Sequence, residues 1–191
     1  MMESVRTGER AVASHVGLKR VVALLSGALL VTLGAQIAVP LPGTTVPITL
    51  QVPAVLIVGG LLGPTLGATS LAVYLVMGIM GLPVFAAGGV LGIARLFGPT
   101  GGYLLAFPLA AALAGRVAAG GRSWTRLGLA VIAATLVIHA GGVAQLALLG
   151  GDLGIAVRAG SLPFLAGDVV KLVVAALVIR RFAPKIARAL H

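Results

Sequence analysis

The chain has 191 residues, 59% of them hydrophobic and only 9% charged, with a mean hydropathy of +1.14. Soluble domains carry about 25% charged residues, so this composition excludes an ordinary soluble fold and indicates an integral membrane protein, which the apolar runs below make all-α. The net charge of +10 invites a nucleic-acid partner, but the bases cluster beside apolar runs, as juxtamembrane anchors do. Cysteine is absent, which removes disulfides and thiolate metal sites.

Residues 1–20 are polar, with Arg6, Arg10, Lys19 and Arg20. The apolar run that follows, 21–39, exceeds the ~7–15 residues of a signal-peptide core and reads as a retained first span. Further spans are expected at about 52–64, 65–81, 102–118, 127–149 and 162–182, ahead of a basic tail at 183–191. A membrane helix needs roughly 20 residues, and the second and third spans are shorter. Gly63 and Pro64 break the run from Val52 to Gly81, which favours a tight hairpin of two short helices over one long helix.

Charge asymmetry orients this bundle. With both termini cytoplasmic, the inner face collects Arg6, Arg10, Lys19, Arg20, Arg116, Arg122, Arg126, Arg180, Arg181, Lys185 and Arg188, which is 11 of the 14 basic residues. The outer loops keep Arg95 and Arg158, as the positive-inside rule requires. The two long outer connections, about 40–51 and 82–101, are rich in Pro, Gly and Thr. Irregular backbone at membrane depth persists only where protein or a water-filled cavity satisfies it, so these loops are expected to dip in and cover a pocket.

The last span carries Asp168 and Lys171 in its outer half. Charge in a bilayer core costs at least ~2.5 kcal/mol, so such residues usually face a bundle interior or a cavity. The i, i+3 spacing puts both on one helix face, where they can grip a ligand or pair with each other to pin helices together. Arg95 offers a planar fork suited to a carboxylate, with a snorkelling interfacial role as its alternative. Together the three leave one net positive charge, which suits a small monoanion. Thr44, Thr45, Thr49 and Gln51 can supply neutral hydrogen bonds, though such residues also serve as caps and turns. His139 stands alone in the fifth span, where a hydrogen-bonded helix contact is the plain reading.

Four stretches carry a resemblance: Pro42 to Gln51 (PGTTVPITLQ), Gly81 to Phe85 (GLPVF), Gly98 to Tyr103 (GPTGGY), and Leu162-Pro163-Phe164 with Gly167 to Lys171 (GDVVK). In their order and across residues 20–182 they resemble the BioY family, the biotin-binding S components of energy-coupling-factor transporters. The resemblance implies a six-helix transmembrane substrate-binding domain at 21–182, between cytoplasmic segments 1–20 and 183–191. It further implies biotin capture from the outer side, with Asp168, Lys171, Arg95 and Tyr103 at the ligand. A transmembrane T component and two ATPase subunits are the implied partners in the cytoplasmic membrane, docking on small residues of the first helix, here Ala23, Gly27, Ala28 and Thr32.

No G-x-x-x-x-G-K-[ST] loop occurs, so ATP would be used only by partner subunits. No cofactor is expected in the chain, and no metal-ligand spacing or nucleophile motif supports an enzyme. A stand-alone carrier of a small organic anion is the competing reading.

Overall fold

In the computed structural model, residues 2–121 and 123–190 are described, with side chains described from Gly17 onward. Helix α1 spans Met2–Gln36, and a two-residue antiparallel ribbon pairs β1, Ala38–Val39, with β2, Ile48–Thr49. Then come α2 (Gln51–Ile79), a 3₁₀ turn (Gly92–Phe97), α3 (Gly101–Ala119), α4 (Trp124–Gly150), α5 (Leu153–Gly160) and α6 (Leu165–Leu190). Among the described residues, five helices are long and apolar enough to cross a membrane: α1 from Gly17, α2, α3, α4 and the α5–α6 stretch.

The outside of the molecule is apolar. Leu25, Leu29 and Leu33 on α1, Leu105 and Leu109 on α3, and Val169, Val173 and Leu177 on α6 are all exposed. A water-soluble protein does not show apolar area on this scale, whereas a bilayer requires it. The chain is a multi-pass membrane protein.

The run from Val52 to Gly81 folds as the expected hairpin. Gly63 has φ 80° and ψ 178°, a conformation open essentially to glycine, and Pro64 begins a second helical arm with its missing N–H at no cost. Gln51 and Tyr74 are hydrogen-bonded at 2.7 Å. In one straight helix 23 residues would separate them by about 34 Å, so the arms must turn back on each other. Glycines make that possible: a Cβ on Gly67 would fall 2.9 Å from Gly59 Cα, and one on Gly59 would overlap the Ala111 backbone of α3. Close backbone approach through small residues is the usual way helices associate in lipid. Ser70 adds a polar tie, donating to the Leu24 carbonyl of α1 at 2.6 Å.

The hairpin turn shares a recess with Arg20. Arg20, residues 60–66, Gly115, Leu127 and the end of α6 line a common recess. Arg180 sits 4.2 Å over the Trp124 ring, and Arg126 donates to the Gly120 carbonyl. The side chains of Arg6 and Arg10, and all of Arg122, lie outside the described residues.

The polar ends are helical. Residues 2–20 continue into α1, and α6 carries on through Pro184 to Leu190, so the polar ends extend the first and last helices. Between α4 and α6 the amphipathic α5 appears, capped by Asp152, which accepts from the Ile155 N–H at 2.7 Å.

Replacing Gly59 with Leu should force α2 off α3 and lower the thermal stability of the detergent-purified protein by about 1–3 kcal/mol. Gly128→Ala, where nothing lies within 4 Å, should show no loss. Equal melting temperatures for wild type and Gly59→Leu would contradict this packing.

Candidate functional site

Asp168 lies in the first turn of α6, after the 3₁₀ turn Leu162–Phe164, and is 3% exposed. Two donors meet its carboxylate. Lys171 Nζ, one turn on along the same helix, donates to Oδ1 at 3.1 Å. His139 Nε2 on α4 donates to Oδ2 at 2.7 Å. An ionised carboxylate only accepts, so Nε2 carries a proton, and Nδ1 has no hydrogen-bond partner among the described residues. The His139 ring lies between Tyr103 and Phe164, with centroids 6.5 and 6.3 Å away.

This cluster forms one wall of a cavity. Arg95 comes to it from the 3₁₀ turn of the second long loop, Thr49 from β2, Gln51 from the start of α2, and Thr100 and Tyr103 from the start of α3. Phe85, Leu104, Phe107, Ile138 and Phe164 supply apolar and aromatic surface. Few convergent polar groups in an apolar cleft make the usual pattern of a small-molecule site. Lys171 and Arg95 against the Asp168 carboxylate leave a single positive charge on these three groups.

Arg95 is 8% exposed, with Nη2 donating to the Ala86 carbonyl at 3.0 Å and Nε without a partner among the described residues. Burial pushes its guanidinium below the usual pKa, though an arginine keeps its proton. Uncharged bonds hold its loop. Gln145 Nε2 on α4 donates to the carbonyls of Leu96 and Gly98 at 2.9 and 3.1 Å. Gln36 Nε2 at the end of α1 donates to Pro83 at 3.3 Å, and Tyr74 Oη to Val84 at 3.1 Å.

Of the residues singled out in the sequence, Asp168, Lys171, Arg95, Thr49, Gln51, Tyr103 and His139 share the cavity. Part of their hydrogen-bonding capacity is committed within the fold. Gln51 binds Tyr74 and Thr49, and the Tyr103 hydroxyl donates to the Gly160 carbonyl, tying α3 to α5. Thr44 and Thr45 stand apart, in an outer groove that meets the cavity at Arg95, Pro47 and Thr100. Thr44 Oγ1 accepts from the Val46 N–H at 3.1 Å, a turn contact.

On α1, Ala23 and Gly27 border a groove with Val58, Leu61 and Ile186. Ala28 is 1% exposed inside the bundle, and Thr32 donates to the Ala28 carbonyl at 2.9 Å. His139 makes the hydrogen-bonded helix contact read from the sequence, to Asp168 of α6, and it also lines the cavity, which was not expected. The signal was present: an ionisable side chain in an apolar span, the same warrant that marked Asp168.

The sequence matches the BioY family model over residues 6–188. It is 42% identical over 152 residues to the probable biotin transporter BioY of Pyrococcus horikoshii, covering 80% of this chain and 88% of that one. The biotin transporter BioY of Thermotoga maritima is 40% identical over 154 residues, with the same coverage. Among solved structures, the S-component for biotin from an ECF-type ABC transporter shares the fold, with a TM-score of 0.76 at 24% identity over 86% of this chain and 90% of that one. This chain belongs to the BioY family.

Proposed function

We propose that the protein captures biotin and takes it up across the cytoplasmic membrane as the S component of an ATP-driven energy-coupling-factor importer. The observation that carries the reading is the meeting of Asp168, Lys171 and Arg95 in one buried, largely apolar cavity. Biotin presents a ureido ring with N–H donors and a carbonyl, an apolar thioether and alkyl chain, and a terminal carboxylate. Asp168 accepts from N–H groups, Lys171 donates to a carbonyl, and the Arg95 fork suits the carboxylate. The aromatic walls match the apolar middle. The names of the Pyrococcus and Thermotoga relatives support the same ligand.

In this reading the two arms of α2 are separate crossings, giving six in all with both termini in the cytoplasm. The charge distribution supports that placement, since the recess at Arg20 and the end of α6 would face the cytoplasm and the cavity the outside. The outer loops would then cover the bound ligand. The T component would dock along α1 at the groove bordered by Ala23 and Gly27, with Ala28 and Thr32 shaping the helix behind it, and two ATPase subunits would supply the energy. The chain itself does no catalysis and needs no cofactor.

Calorimetric titration of biotin into the detergent-purified chain tests the ligand. Wild type should bind tightly, and Asp168→Asn should weaken binding by roughly 2–5 kcal/mol, because Lys171 loses its counter-charge inside a desolvated site. His139→Ala should cost about 1.5–3 kcal/mol through the lost bond to Oδ2. A folded wild type that ignores biotin would remove the ligand assignment. Unchanged affinity in both variants would make the cluster purely structural.

Reconstitution tests the coupling. Proteoliposomes holding this chain alone should bind biotin without accumulating it, and accumulation should need the T component, the ATPases and ATP. Uptake driven by an ion gradient without partners would establish the stand-alone carrier instead.

A further inference from the structure

We propose that Gly89 is a positioning residue: its missing side chain leaves the slot that holds the Arg95 guanidinium at the cavity. A Cβ built on Gly89 would overlap Arg95 Nη1 and crowd its Cζ, with Nη2 3.0 Å away. No atom outside that guanidinium is among the three nearest. Glycine is not needed there for its backbone, because the conformation is one that other residues adopt; the neighbouring Gly88, at φ 83°, is the position that needs it.

The two neighbouring glycines therefore do different things, and the distinction decides what a methyl group would do at residue 89. The obstacle it meets is the far end of a flexible side chain, so the arginine yields and the backbone stays. A displaced guanidinium leaves the Ala86 carbonyl that now receives Nη2. Open space lies on the outer side, because Arg95 and Gly89 together line the outer groove as well as Arg95 lining the cavity. Gly89→Ala should thus uncouple the charge from the site while the fold and the Asp168–Lys171–His139 cluster stay as they are.

The affinity part of this proposal rests on the reading that Arg95 holds the ligand carboxylate; the slot itself does not. Two readouts keep them separate. Labelling of Arg95 by phenylglyoxal, followed by mass spectrometry, should be slow in the wild type and several-fold faster in Gly89→Ala. Biotin affinity should fall about tenfold or more in Gly89→Ala. It should be no weaker in Gly89→Ala/Arg95→Ala than in Arg95→Ala alone, as expected for two residues acting as a unit. Wild-type labelling of Arg95 in Gly89→Ala would overturn the slot. So would additive losses in the double variant, which would mean that residue 89 acts on folding or on the ligand by another route. If the wild type does not bind biotin, the ligand assignment falls and the labelling alone decides the slot.

Discussion

Keeping one carboxylate ionised inside an apolar bundle is the constraint on which the rest of the molecule depends. An unpaired carboxylate at Asp168 would neutralise itself or unfold its surroundings. Here it has a cation on its own helix and a donor from α4, at 3.1 and 2.7 Å. Buried pairs of this kind contribute little net stability, but breaking one by removing a partner costs about 3–5 kcal/mol. The cluster therefore fixes where α6 meets α4, and with it the wall of the cavity. The bond from His139 joins α4 to α6, and the same carboxylate, with Lys171 beside it, lines the cavity.

That wall would face nothing if the first half of the chain did not close over it. The hairpin brings the start and end of α2 to the same end of the molecule, so that Gln51 and Tyr74 bond each other and Tyr74 reaches the second loop at Val84. Small residues allow the arms and α3 to pack with backbones nearly touching, at Gly59 against Ala111 and Gly67 against Gly59. In lipid, where no hydrophobic force drives helices together, close packing and interhelical bonds carry the association.

Much of this was legible in the sequence because membrane spans obey few rules. Long apolar runs gave the helices, Gly63-Pro64 gave the hairpin, and the isolated charges Asp168, Lys171 and Arg95 gave the cavity. What sequence reading missed depends on contacts between distant residues. His139 lies 29 residues before Asp168, and only the crossing of α4 with α6 makes them partners. Gln145 and Gln36 look like incidental polar residues until the loop they hold is folded against them. Thr44 and Thr45 share a motif with Gln51, yet the β ribbon turns them to the outer groove. The continuation of α1 and α6 into the polar ends escaped because hydropathy marks where a helix enters lipid and is silent on where it stops.

The cavity is held in two ways of unequal strength. Asp168, Lys171 and His139 sit on long helices and are joined by charge-assisted bonds. Arg95 sits on a loop fixed by neutral bonds from Gln36, Tyr74 and Gln145, each worth about 0.5–1.5 kcal/mol, and it has no carboxylate partner among the described residues. Freeing the loop exchanges a few neutral bonds for bonds to water; freeing the helical cluster strands a buried charge. Any movement that admits a ligand is therefore far cheaper on the loop side. Two cations thus line one cavity on different footings, Lys171 held by a buried counter-charge on its own helix and Arg95 by neutral bonds alone.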